Sequence, residues 1–147
     1  MAKRMVHVLE TGLEYMENSN PNGKPAVRGY NIINGQLTPA SDNSTFRSTN
    51  PAVLADCLGE FPLSTREDVR DALNAAHEAF PAWAATPAPT RGQIIGNMGR
   101  LLMEHKDALV ALETREIGKT LKESGGEIQE AIDTCLFFQS EGRRLYG

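Results

Sequence analysis

The sequence predicts an α/β arrangement in which two small β-hairpins lead into three long amphipathic helices, and three observations carry that expectation. All eight prolines fall between Pro21 and Pro89, so loops and short strands belong to the first part of the chain and helices to the second. The dipeptide Asn34-Gly35, between Tyr30-Asn31-Ile32-Ile33 and Gln36-Leu37, suits a two-residue hairpin turn whose central positions both need positive φ. The last two helical stripes offer more apolar surface than the first helix can cover, which calls for a sheet against them that this chain mostly lacks.

In chain order, residues 1–29 read as an N-terminal arm. Val6, Leu9, Leu13 and Met16 have helical spacing, but Gly12 and the polar run Asn18 to Lys24 weaken it, and Asn-Pro-Asn-Gly at 20–23 marks a turn. Residues 30–147 read as one structural region that opens with the Asn34-Gly35 hairpin. A second strand pair is expected at Thr45–Ser48 and Leu58–Leu63, split by Asn50-Pro51. Ser64 with Glu67, and Thr65 with Asp68, stand in capping-box spacing, so the first helix begins near residue 65. Its stripe is Val69, Ala72, Leu73, Ala76 and Phe80; Pro81 should end or kink it, with Trp83 folding back over its end.

Thr86 before Pro87 reads as a cap followed by proline at the first helical position of a second helix. Its stripe, Ile94, Ile95, Met98, Leu101, Leu102, Leu109 and Leu112, would span about 45 Å if unbroken, so a bend is expected near His105 to Asp107, with a stop at Gly118. The third helix uses Ile128, Ala131, Ile132, Cys135, Phe138, Gly142 and Leu145. It is expected to pack through Ile128, Ile132 and Cys135 against Ile95, Met98 and Leu102.

Fifteen basic and nineteen acidic residues give a net charge of -4. No basic field suited to phosphates exists, which argues against nucleic acid as a partner. No apolar run reaches signal-peptide or membrane-span length, so the expectation is a soluble cytoplasmic chain without a membrane partner. Cys57 and Cys135 fit two free thiols in a reducing compartment.

Chemical constellations are sparse. Gly92, Gly96 and Gly99 share one helical face, and since they do not follow a strand, close helix packing outweighs a dinucleotide fingerprint. Glu123, Glu127, Glu130 and Asp133 line one helix flank as a solvated face. Cys135 lies on an apolar stripe, where it packs as a small hydrophobe. His7, His77 and His105 have no partner at metal-ligand spacing. On these residues alone the chain is a soluble helical segment.

From Phe46 onward, however, several segments resemble the aldehyde dehydrogenase superfamily in register. They are Ser48-Thr49-Asn50-Pro51, Leu58-Gly59-Glu60-Phe61-Pro62-Leu63, Glu67-Asp68-Val69, and Ala79-Phe80-Pro81-Ala82-Trp83. Arg91, Glu113-Thr114-Arg115-Glu116-Ile117-Gly118-Lys119, Gly126-Glu127-Ile128 and Glu141 to Gly147 follow. Tyr30 to Gly35 resembles the family's first hairpin; residues 1–29 match nothing.

The resemblance implies the N-terminal part of a cofactor-binding domain at 30–147, lacking most of that domain's sheet. It also implies a parent enzyme that oxidises a small-molecule aldehyde to a carboxylate with NAD or NADP and works as a homo-oligomer. Catalytic and cofactor-binding residues would lie beyond Gly147, in the remainder of the aldehyde dehydrogenase chain, so this segment is expected to be inactive alone. Two lesser roles carry over: a monovalent cation held by the Ser48 and Thr49 carbonyls and the Glu116 carboxylate, and a substrate entrance lined by Glu130 and Thr134. The alternatives are a standalone helical interaction module derived from the family, and a segment of a semialdehyde dehydrogenase that acylates coenzyme A.

Overall fold

A computed structural model of the chain describes residues 28–144. The stretch from Val6 to Met16, the turn at 20–23 and the terminal Leu145-Tyr146-Gly147 lie outside the described residues. The elements are β1 (Asn31–Ile33), β2 (Gln36–Thr38), β3 (Thr45–Thr49), β4 (Cys57–Pro62), α1 (Arg66–Ala85), α2 (Ala88–Glu104), α3 (Lys106–Ile117) and α4 (Leu121–Glu141). They form two compact units. One holds the described residues up to Glu78 together with Arg115–Gly118, the other Ala79–Thr114 with Lys119 onward.

In the first unit β1 and β2 pair antiparallel around Asn34 and Gly35, whose φ values of 50° and 70° are those the dipeptide predicts. β3 and β4 form a second antiparallel pair, with Phe46 and Phe61 directly opposite and their rings 6.0 Å apart. Arg28 bridges to Glu60, and the Gly29 amide donates to the Glu60 carbonyl at 2.7 Å, adding a short parallel contact beside β4. At the start of α1 the two candidate capping pairs resolve in favour of Thr65 and Asp68. The Asp68 carboxylate accepts from the Thr65 amide at 2.7 Å and the Ser41 amide at 2.9 Å, while Ser64 instead donates to Asn31 Oδ1. Buried Asp68 thus satisfies one orphan amide of the helix start and fastens a loop to it.

Of the two outcomes expected at Pro81, an end or a kink, the end is overturned, since the helix runs through it to Ala85. Proline removes only its own amide from the ladder and strains the carbonyl four residues back, an unfavourable effect of about 3 kcal/mol that flanking structure can offset. The true end lies at Thr86, whose hydroxyl donates to the Ala82 carbonyl at 2.9 Å. Arg91 donates to the Thr86 and Ala84 carbonyls at 2.9 and 3.1 Å, placing a cation where α1 leaves its last carbonyls unpaired. Trp83 therefore sits within the helix. Thr86 is not the cap of α2 either; Pro87 occupies that position without a side-chain bond.

In the second unit α2 and α4 lie against each other. The glycine face of α2 makes the approach: Gly92, Gly96 and Gly99 are all buried. A Cβ on Gly99 would stand 2.8 Å from Cys135 Cβ, and one on Gly92 would overlap the Gln139 carbonyl oxygen. Ile132 and Cys135 fill the α4 side as expected. On the α2 side Ile95 and Leu102 are half-buried and Met98 is exposed. Helix surfaces lacking Cβ atoms let backbones come close, so the glycines set the seam and the aliphatic stripe flanks it.

The single long second helix is two, α2 and α3, divided at His105 where a bend was expected. Four helices therefore stand among the described residues in place of three. Gly118, at φ 78°, terminates α3 in the left-handed conformation.

Placing a methyl on the seam should separate the two helices, whereas Gly126 on α4 has open space around its Cβ position. Gly92→Ala is expected to lower unfolding stability by about 1–3 kcal/mol. Gly126→Ala should raise it by about 0.5–1 kcal/mol through helix propensity. Urea midpoints of the two variants against the parent chain check both signs.

Candidate functional site

The turn leaving β3 is built by Asn50, which is buried. Its Oδ1 accepts from the Ala52 amide at 2.9 Å, its own amide donates to the Asp56 carbonyl at 2.9 Å, and its Nδ2 donates to Asp56 Oδ2 at 3.2 Å. Asparagine suits this place because its short amide mimics a backbone turn. Arg115, 59 residues away, then grips the same carboxylate in a fork, with Nη2 to Oδ1 at 2.8 Å and Nε to Oδ2 at 3.1 Å. The Arg115 guanidinium holds the Asp56 carboxyl below the usual carboxylate range, with Asn50 adding to it against some desolvation.

Three residues on, Gly118 faces Pro51 so closely that a Cβ would come within 2.7 Å of its Cγ. The segment 115–118 is thereby fixed at two points on one turn. Between the two points lies Glu116, exposed, in the last turn of α3. Ser48 and Thr49 stand at the end of β3, where the ladder slips: Ser48 pairs with Gly59 but Thr49 pairs with Cys57, leaving Leu58 as the extra residue of a bulge. Oxygen donors of this kind, backbone carbonyls with one carboxylate, suit a hard cation. Among the described residues no group of three or more His, Cys, Asp or Glu side chains could hold a metal.

The acidic flank is solvated as expected, with Glu123, Glu127, Glu130 and Asp133 all exposed, and two of its members also make bonds at the α3–α4 junction. Thr120 and Glu123 form a reciprocal capping box, with the Thr120 amide donating to Glu123 Oε2 at 3.1 Å and the Glu123 amide to Thr120 Oγ1 at 3.3 Å. The Lys119 ammonium donates to the Glu127 carboxylate. Glu127 holds Lys119 above its ordinary range, and Lys119 in turn holds Glu127 below its own. Thr114 and the fully buried Ser124 share a hydroxyl–hydroxyl bond at 3.0 Å. The Thr-Leu-Lys-Glu run at 120–123 carries the capping signature in plain sequence; the Asp56–Arg115 pair has no local signal at all.

An open groove of about 410 Å³ lies along α2 and α4, walled by Trp83, Ile95, Met98, Cys135 and Phe138. Thr134 lines it. Glu130, one helical turn earlier and exposed, is not among its lining residues. Arg91 reaches the groove but already serves the α1 carbonyls, and Glu141 lines it too, with a buried Oε1 that accepts no hydrogen bond and stands 3.4 Å from Arg144 Nε. Both cysteines are free thiols and both are buried.

A short strand pair, a bulge, a fixed turn and a glycine-seamed helix pair, in this order, define an α/β protein of a known class. The chain belongs to the aldehyde dehydrogenase family, whose sequence profile matches residues 38–147. It is 41% identical over 116 residues to the succinate-semialdehyde dehydrogenase [NADP(+)] of Escherichia coli, covering 79% of this chain and 24% of that protein. Likewise it is 41% identical over 108 residues to the malonate-semialdehyde dehydrogenase of Bacillus pumilus, covering 74% and 22%. A solved NADP dependent enzyme of E. coli superposes with a TM-score of 0.77 at 40% identity, over 81% of this chain and 24% of that one. The NAD-dependent aldehyde dehydrogenase of Sinorhizobium meliloti gives 0.79 at 25% identity, over 88% and 26%. The chain thus spans about a quarter of the length of the relatives it matches.

Because Asp56 titrates lower when folded than unfolded, its stabilisation is complete above the unfolded value of about 3.9 and is lost as pH falls through the lower folded value. Asp56→Asn should therefore lower stability at pH 7 by about 1–2 kcal/mol, intermediate between exposed ion pairs and buried charged hydrogen bonds. The difference from the parent should shrink below about pH 3.9. Urea titrations of both chains across that range provide the check.

Proposed function

We propose that this chain is the opening segment of an NAD(P)-dependent semialdehyde dehydrogenase, inactive alone, with residues 30–147 the N-terminal part of its cofactor-binding domain. The observation that carries the reading is the match of residues 38–147 to the family, together with semialdehyde dehydrogenases as relatives at about 40% identity. A semialdehyde carries a carboxylate at its far end, so the substrate class is a short aldehyde acid.

In the whole enzyme a cysteine thiolate would add to the aldehyde carbonyl, bound NAD or NADP would supply the hydride acceptor, and a glutamate would activate the water that releases the acid. This chain offers none of these groups. Cys57 and Cys135 are buried, and the Cys57 thiol donates toward the Gly59 carbonyl at 3.9 Å and also meets the Arg47 side chain. Its own contribution is scaffold. Glu130 and Thr134 on α4 belong to the substrate entrance, supported for Thr134 by its place on the groove. Ser48, Thr49 and Glu116 hold a monovalent cation, supported by the bulge at the end of β3 and the two-point fixation of segment 115–118. The whole enzyme is a cytoplasmic homo-oligomer.

The exposed apolar residues Leu73, Phe80, Phe137 and Phe138 support a segment that expects further chain against it over a self-contained interaction module. None of the described helices is long and apolar enough to cross a membrane.

A chimera tests the reading. Residues 38–147 of this chain replace the matching segment of the E. coli succinate-semialdehyde dehydrogenase, and oxidation of succinate semialdehyde is followed by NADPH absorbance. A folded chimera retaining activity within about tenfold of the parent is expected, equivalent to about 1.4 kcal/mol of transition-state stabilisation. A folded but inactive chimera would sink the assignment, as would NAD(P)H formation by the 147-residue chain alone.

A further inference from the structure

We propose that Asn34 is a modification site: its side chain cyclises onto the Gly35 amide whenever the β1–β2 hairpin opens, converting residue 34 to aspartate or isoaspartate. The reaction needs only water.

The chemistry is an attack by the main chain. The Gly35 amide nitrogen adds to the Asn34 side-chain carbonyl carbon, an N–C bond forms as the carboxamide C–N bond breaks, and the displaced nitrogen leaves as ammonia with the Gly35 proton. A cyclic imide remains. Water opens it at one carbonyl or the other, giving aspartate, or isoaspartate in which the main chain runs through Cβ. Nothing is oxidised or reduced.

Several observations single out this residue. Among the described asparagines only Asn34 is followed by glycine, whose missing side chain leaves the attacking nitrogen unshielded. The same dipeptide at Asn22-Gly23 lies outside the described residues. Asn34 and Gly35 are both exposed, and the last pair of the ladder is Ile33 with Gln36, so the Gly35 amide stands outside it. Asn43 is the contrast. It too is exposed and left-handed, at φ 60°, but the Ser44 amide that would attack it already donates to Asp42 Oδ1 at 2.9 Å. Asn50 precedes Pro51, which has no amide proton to give up.

The fold sets the rate. With φ values of 50° and 70° the turn is of the mirror-image type, whose first central residue has ψ of about +30°. At that ψ the Gly35 nitrogen lies nearly opposite Cβ across the Cα–C bond. Ring closure needs it on the same side, which turns the Asn34 ψ through more than a right angle and breaks the turn. Yet the hairpin that must open is weak. It is a two-stranded sheet of three residues in each strand, with Ile32 and Leu37 directly opposite and both exposed, and such a pair is marginal in water. A hydrogen bond from Ser64 Oγ to Asn31 Oδ1 at 3.0 Å ties β1 to the residue preceding Thr65 and α1. The two products then diverge. Asp-Gly suits the same turn as Asn-Gly, so aspartate lets the hairpin close again, whereas isoaspartate adds a backbone atom and the pairing of Ile33 with Gln36 cannot re-form.

The test uses the 147-residue chain, kept in warm, mildly alkaline buffer with and without guanidinium chloride. Residue 34 is followed by tandem mass spectrometry, and isoaspartate by an isoaspartyl methyltransferase with labelled S-adenosylmethionine. Conversion at Asn34 is expected in buffer at about a tenth of its rate in denaturant, the difference measuring how seldom the hairpin opens. Asn43 should convert far more slowly than Asn34 in buffer. Leu37→Gly removes the cross-strand pair and Ser64→Ala the tie to β1; each should raise the rate in buffer severalfold and leave the rate in denaturant unchanged.

An Asn34 that stays intact in buffer while the denatured chain is consumed overturns the site. Equal rates in buffer and denaturant overturn the gating. A rate in buffer that neither variant changes removes the hairpin as the gate. Should Leu37→Gly fail to fold, Ser64→Ala decides this alone.

Discussion

The scarcity of buried apolar side chains governs this molecule, because among the described residues only Ala40, Cys57, Leu58, Ile132 and Cys135 make up the buried hydrophobic set. Burial of side chains contributes about 25 cal/mol for each Å² removed from water, so so few residues leave cohesion to other means. In the second unit the means is backbone proximity, with glycines on α2 admitting α4. In the first it is polar fastening of loops to helix ends, as at Thr65–Asp68–Ser41 and Asn50–Asp56–Arg115. The large apolar residues, Leu73, Phe80, Phe137 and Phe138, stay more than half exposed.

The electrostatics follow the same division of labour. Asp56, Asp68, Glu123 and Glu127 are all held below the ordinary carboxylate range, and in each the first cause is a hydrogen bond, from Arg115, Thr65, Thr120 and Lys119 respectively. For Asp56, Asp68 and Glu123 the perturbation is architectural; Glu127 also shares a hydrogen bond with a second carboxyl group, that of Glu113. That agrees with an aldehyde dehydrogenase segment whose proposed duties are to support, admit and position.

Much of the fold was legible where the signal is local. Asn34-Gly35 specifies its turn by conformational allowance, and Thr65 with Asp68 specifies a helix start by reach of a side chain to a backbone amide. The break at His105 followed from length alone. What failed involves partners beyond the residue that carries the signal. Pro81 is a helix breaker by its own chemistry, but the end of α1 is decided by Thr86 and by Arg91, five and ten residues further on. The glycine face of α2 was recognised as a packing surface, yet its dominance over Ile95, Met98 and Leu102 depends on where α4 lies. At the candidate site, Ser48, Thr49, Glu116, Glu130 and Thr134 came from resemblance. The pair that binds segment 115–118 to the turn, separated by 59 residues, came only from the coordinates.

The seam between α2 and α4 has a consequence in the genetic code. Glycine codons share their first two bases, and every amino acid reachable from them by one base change carries a Cβ. At an ordinary exposed position several such replacements are silent in effect. At Gly92, where the opposing atom is the carbonyl oxygen of Gln139 and not a movable side chain, no single-nucleotide missense change avoids the steric conflict. The codon has synonymous neighbours only as harmless ones, so drift at this residue is confined to its third base while the exposed flanks of the same helix remain open to it.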